Sequence, residues 1–170
     1  MMVMATGPRY KVPFRRRREG RTDYRSRLAL IKSGKHRAVV RKSNKHVRIQ
    51  LVSYDDKGDL IVATAVSTEL AKLGWKHSGN STPGAYLTGY LAGKRAREIG
   101  VDEAVLDIGL RKPVKGSVLF AATKGLVDAG VRVPHDDGML PSDDRVKGKH
   151  LKDGAEAQFD EVKTKIGGAD

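Results

Sequence analysis

The positive charge of this chain is confined to one end. Residues 1–50 carry 16 Lys and Arg against 2 Asp and Glu, while the remaining 120 residues carry 17 against 18. The formal net charge of +13 therefore belongs wholly to the first fifty positions. Charge at that density repels itself and cannot be buried without partners. Its densest part, RYKVPFRRRREGR (Arg9–Arg21), includes four consecutive arginines and shows no apolar periodicity. Such a segment has no face to place in a core, which predicts an extended arm over residues 1–21 that orders only against a partner. The rest is near neutral, and a hydrophobic content of 39% suffices for one modest core. The expected organisation is an arm (1–21), an α/β domain (22–134), and a polar surface loop with a C-terminal helix (135–170).

Within the domain, Thr22 or Asp23 can cap a helix over about 23–33, with Gly34 as its stop. Tyr24, Leu28 and Ile31 form its apolar stripe, leaving Arg21, Arg25 and Lys32 to face a partner. RAVVRK (37–42), KHVRIQLVSY (45–54) and LIVATAV (60–66) read as strands joined by Ser43-Asn44 and Asp55–Asp59 turns. In the middle strand Val47, Ile49 and Leu51 point one way and His46, Arg48 and Gln50 the other, giving one core face and one polar, basic face. Ser67 can cap a short helix ending at Gly74, and Pro83 opens a longer one to Ile99. The stripe of that second helix, Ala85, Gly89, Ala92, Ala96 and Ile99, is mostly small and predicts close approach to a neighbour. EAVLDIG (103–109) reads as a buried strand, 117–129 as a helix and VRV (131–133) as a short strand. Ala155, Phe159, Val162 and Ile166 mark the buried face of a C-terminal helix. A meander followed by helix–strand–helix–strand predicts an α/β fold: a mixed sheet, antiparallel meander plus parallel strand, with packed helices.

The chain has no cysteine, which excludes disulfides, a thiolate nucleophile and Cys-ligated metals. No apolar run reaches the length of a membrane span, and MMVMATGPRY has no apolar core of a signal peptide. These features predict a cytoplasmic chain with no membrane contact. The pairs Asp136-Asp137 and Asp143-Asp144 match no calcium-loop spacing, the five histidines form no metal motif, and no phosphate-binding loop is present. Asp107 lies inside an apolar strand, where a carboxylate needs a basic partner. One strand carboxylate is too few for a metal-dependent nuclease, so no catalytic residues, cofactor, metal or small-molecule substrate are expected.

The arm carries the functional signal. It offers roughly half a dozen to ten phosphate contacts, enough for steeply salt-dependent binding. Arginine forks fit phosphates and stack on bases, and Tyr10, Phe14 and Tyr24 lie among them. A nucleic acid is the expected partner. The residues alone do not decide RNA against DNA compaction, although an arm beside a polar strand face suits a folded RNA read by shape.

GPRYKVPFRRRREGRTDYRSRL (7–28) and RKSNKHVRIQLV (41–52) closely resemble the archaeal form of universal large-subunit ribosomal protein eighteen. This is the 5S-rRNA-binding family whose eukaryotic counterpart is large-subunit ribosomal protein five. The likeness continues through GNSTPGAYLTGYLAGKRA, EAVLDIGL and GLVDAGVRVPH, covering about residues 7–138. It implies a non-enzymatic component of the large ribosomal subunit that binds 5S rRNA and helps attach it to 23S rRNA in the central protuberance. Universal large-subunit ribosomal protein five would be its neighbour. The implied fold has a ribonuclease-H-like arrangement. The RNA-binding residues expected along the arm and first helix are Arg9, Tyr10, Lys11, Phe14, Arg15, Arg16, Arg17, Arg18, Arg21, Tyr24, Arg25, Arg27, Lys32, Lys35 and Arg37. At the first hairpin they are Arg41, Lys42, Ser43, Asn44, Lys45 and His46, continuing to Arg48 and Gln50. Trp75, Lys76 and His77, near Asn80 and Ser81, form a further loop near RNA, with Trp75 equally suited to core packing; Tyr86 and Lys94 are weaker candidates.

Overall fold

The computed structural model describes residues 7–151 and 154–168, so the first six residues of the expected arm lie outside them. In chain order the elements begin with α1 (Arg15–Arg18), α2 (Tyr24–Lys32), β1 (His36–Lys42), β2 (Val47–Asp55) and β3 (Gly58–Val66). A 3₁₀ turn (Glu69–Leu73) leads to α3 (Thr82–Glu98), β4 (Ala104–Asp107) and α4 (Val118–Asp128). A second 3₁₀ turn (Asp137–Met139), α5 (Asp143–Lys147) and α6 (Ala155–Gly167) follow.

The sheet has the order β3-β2-β1-β4. β1 pairs antiparallel with β2 and β2 with β3, while β4 joins β1 in parallel after the α3 crossover. The mixed α/β sheet expected from the sequence is thus present, and its strand order is compatible with the ribonuclease-H-like arrangement. VRV contributes a single parallel bridge, Arg132 to Glu103, rather than a strand.

Strand alternation sorts the two faces. Ala38, Val40, Val47, Ile49, Leu51, Ala63 and Ala65 are buried in one core with α3 and α4. Arg41 and Arg48 are cross-strand partners on the opposite, open face. α3 and α4 approach so closely that a Cβ on Gly89 would overlap the Ala122 carbonyl, and one on Gly125 would lie 2.8 Å from the Tyr90 nitrogen. This contact explains the small-residue stripe. A second cluster, Leu70, Trp75, Tyr86, Leu87, Val146, Phe159, Val162 and Ile166, seats α6 on α3.

Four local differences from the sequence reading have physical causes. The arm is not extended throughout: the Phe14 carbonyl accepts from the Arg17 and Arg18 amides at 2.9 and 3.0 Å, closing the single turn of α1. α2 buries no residue, and Leu28 is 54% exposed, because no core lies opposite its stripe. Ser67 does not cap a helix; its hydroxyl accepts from the Val47 amide at 3.1 Å, and a 3₁₀ turn follows instead. Residues 135–150 contain helical turns rather than a plain loop, since Val146 reaches the second core.

Gly89→Ala or Gly125→Ala gains about 0.5–1 kcal/mol of helix propensity. The clash is with backbone, so overpacking of about 1–3 kcal/mol wins. The expected outcome is a lower urea midpoint for both variants with an unchanged m-value.

Candidate nucleic-acid interface

The basic arm folds back on the start of α2 instead of standing free. Phe14 and Tyr24 pack with ring centroids 5.2 Å apart, and the Arg16 Nε donates to the Thr22 hydroxyl at 2.9 Å. The Asp23 carboxylate caps α2 by accepting from the Arg25 and Ser26 amides at 2.9 and 3.2 Å. Those bonds, with one from the Ser26 hydroxyl at 2.7 Å, hold the Asp23 carboxyl below its ordinary value. Arg27, on the next turn, donates to Asp59 at 2.8 and 2.9 Å and anchors α2 to the start of β3.

Under that anchor lies a buried charge network. Arg37 is 3% exposed, 2.6 Å from Asp59 and 3.1 Å from Asp107. Asp107, 7% exposed, also accepts from Arg41 at 2.9 Å and from the Gly109 amide at 2.9 Å. Both its oxygens are engaged, so this strand carboxylate is a structural tie between β1 and β4. Burial alone would raise the Asp59 carboxyl, but hydrogen bonds from Arg37 and Arg27 outweigh it and hold it below its ordinary 3.8.

The expected contact residues fall into three groups. Arg9, Lys11, Arg15, Arg16, Arg17, Arg18, Arg21, Arg25, Lys32, Lys45, His46 and Arg48 are exposed, whereas Tyr10, Lys42 and Gln50 are half-buried. Among the described residues, Arg17, Arg18, Arg25, Lys32, Lys45 and Arg48 make no ion pair. Arg15 and Arg21 reach Glu19 at 3.5 and 3.2 Å in the open, which costs a phosphate little to displace. A second group is committed within the fold. Lys35 pairs with Glu103 at 2.6 Å, and Arg27 and Arg41 are held as described.

The third group needs correction. Arg37 faces no partner, because its guanidinium is enclosed by two carboxylates. Trp75 is 4% exposed and belongs to the second core; of the two roles open to it, packing is the one the fold uses. Tyr86 is buried, and its hydroxyl donates to Asp128 at 2.6 Å.

Two clefts gather residues distant in sequence. In one, of about 340 Å³, the hairpin tip Asn44, Lys45 and His46 meets His77 and the edge of Trp75. Ser43 shapes that tip by accepting from the His46 amide at 2.9 Å, and the Asn80 side chain donates to the Asn44 carbonyl at 2.9 Å. The other cleft, of about 1080 Å³, lies between the arm with α2 and the sheet, and Arg111 and Lys112 line its far wall. Sequence reading missed these two. Their signal was present in GLRKPVKG (109–116), a basic loop directly after a strand.

A surface of paired and unpaired arginines above an inert carboxylate fits polyanion binding, and comparison with known proteins narrows it. Residues 8–104 match the family model for ribosomal large subunit proteins 60S L5 and 50S L18. The chain belongs to this ribosomal family. It is 56% identical over 158 residues to large ribosomal subunit protein uL18 of Haloarcula marismortui, covering 93% of this chain and 82% of that one. The uL18 of Aeropyrum pernix is 56% identical over 159 residues, covering 93% and 74%. That of Methanothermobacter thermautotrophicus is 51% identical over 158 residues, covering 93% and 82%. Members of the L5/L18 family are structural large-subunit proteins rather than enzymes, and their place is the ribosome in the cytoplasm.

Two stability measurements check the network. Asp107→Ala leaves Arg37 buried with one carboxylate fewer and should cost about 3–5 kcal/mol in denaturant unfolding. The lowered Asp59 carboxyl stabilises the fold fully above its unfolded value of 3.8, and this is lost as pH falls through the lower folded value. The gap in urea midpoint between the unmodified protein and Asp59→Asn should therefore be flat near neutrality and close below pH 3.8.

Proposed function

We propose that this protein binds 5S rRNA and helps attach it to 23S rRNA in the central protuberance of the large subunit, beside universal large-subunit ribosomal protein five. The observation that carries the reading is a set of exposed cations with no ion pair among the described residues. Arg17 and Arg18 on the arm, Arg25 on α2, and Lys45 and Arg48 on the first hairpin are exposed and free of ion pairs among the described residues. Family membership supplies the ribosomal setting.

Binding is driven by release of counterions from the RNA as arginines replace them. The arm already has a one-turn helix and an aromatic anchor, which lowers the entropy lost on docking. The hairpin tip and the His77 loop form a shaped edge that reads RNA form and 2′-hydroxyls, while the arm neutralises phosphates so that RNA helices can approach one another.

Replacing Arg15, Arg16, Arg17 and Arg18 with Gln in the full chain removes up to four phosphate contacts. Selective binding to 5S rRNA over excess tRNA is expected for the unmodified protein. The variant should lower the slope of log K against log salt by roughly 3. Equal affinity for tRNA would defeat the 5S assignment. An unchanged slope would move the grip to the hairpin.

A further inference from the structure

From Ile108 the chain leaves the sheet as IGLRKPVKG (108–116), a loop that the arm reading leaves out. It is not a free flap. Gly109 turns it at φ +65°, with the Arg41 guanidinium 3.0 Å from where a Cβ would stand. The Gly109 amide donates to Asp107 at 2.9 Å, and Arg111 donates to the Lys42 carbonyl at 2.9 Å. The loop is thus pinned to β1, and Arg111 and Lys112 remain exposed.

Across the cleft of about 1080 Å³ stand Arg16 and Arg21 of the arm. Six cations line the cleft against the carboxylates of Asp23, Asp59 and Asp107. All three carboxylates are spent, Asp23 on the α2 cap and the other two on buried or anchoring arginines. On the rim Arg16, Arg111 and Lys112 make no ion pair among the described residues, and Arg21 meets Glu19 at 3.2 Å in the open, so the rim is electropositive. The floor is different: Leu30 and Leu106 are half-buried there, and Tyr24 adds a half-buried aromatic ring. Cationic walls over an apolar and aromatic floor match a nucleic-acid strand with its bases turned inward. The volume is of the order of a small-ligand pocket, which admits a few nucleotides and not an A-form helix.

We propose that this cleft grips an unpaired RNA segment, with Arg111 and Lys112 on one wall and Arg16 and Arg21 on the other holding its phosphates. The inference rests on the rRNA-binding reading and adds a second wall to it. Unpaired bases stack on Tyr24 or lie against Leu30 and Leu106. The pinned loop is the fixed jaw and the arm with α2 is the closing one, since α2 buries no residue, the arm packs on α2 through Phe14 and Tyr24, and Arg27 ties α2 to Asp59.

The test is lysine footprinting of the full chain by acetylation and mass spectrometry. The probes are 5S rRNA, a 12-nucleotide oligouridine, a 16-base-pair RNA duplex and a polyglutamate peptide. Lys57, exposed in the β2–β3 turn, is the reference. Lys112 is expected to lose at least fivefold of its reactivity with 5S rRNA and with oligouridine while Lys57 is unchanged. Lys112→Gln combined with Arg16→Gln should lower the oligouridine salt slope by about 1.4. Lys112 left reactive by both RNAs, in a protein that still selects 5S rRNA, overturns the cleft and leaves the 5S reading standing. Protection by oligouridine without 5S selectivity supports the cleft and defeats that reading. Protection by the duplex as strong as by oligouridine, or by polyglutamate alone, overturns the assignment to unpaired RNA.

Discussion

Asp107 is the carboxylate on which the relation between arm and sheet depends. It joins β4 to β1 through Arg37 and Arg41, and Arg37 passes the connection to Asp59, which in turn holds Arg27 of α2. Breaking a buried pair by deleting one partner is far costlier than never building it, because the other charge stays buried. The chain thus places three arginines and two carboxylates where an apolar cluster would also have filled space. What the charges add is direction, since each guanidinium fixes a loop or helix that apolar packing alone would leave free to slide.

The two faces of the sheet divide the labour. On one, α3 and α4 meet through Gly89 and Gly125 and press alanines against the strands, so a small chain gets a dense core without large side chains. The other face is left open, with Arg41 and Arg48 side by side. Side by side, like charges are unfavourable in an isolated sheet. Here Asp107 answers Arg41 at 2.9 Å, which relieves the pair and leaves Arg48 as its cation without an ion pair among the described residues. The second core under α6 gives the Trp75–His77 loop a rigid base, so a residue expected at the RNA serves by holding its neighbours in place.

Much of the candidate interface was legible in the sequence. The arginines of Arg15–Arg18 and the cations Lys45 and Arg48 read correctly as surface because charge run and strand alternation are local properties. Arg37 was misread because it looks no different in sequence from Arg41, its neighbour on the same strand face. Asp107 pairs with both, and it is the approach of Asp59 from β3 to Arg37 that separates them. Arg111 and Lys112 were missed because they gain meaning from facing the arm across a cleft, roughly ninety positions away in sequence.

The sequence by itself determined where the charge lies, where the longer strands and helices run, and that β4 follows a crossover. These rest on periodicity, capping and turn residues, whose physics acts over a few positions. It also marked Asp107 as needing a basic partner, because a carboxylate in an apolar strand has few other ways to be satisfied. Tertiary structure alone decided which arginines answer it, that α2 has no core opposite its apolar stripe, and that the loop after β4 stands against the arm. Those outcomes depend on which groups meet across long separations, and nothing in a local pattern encodes the partner.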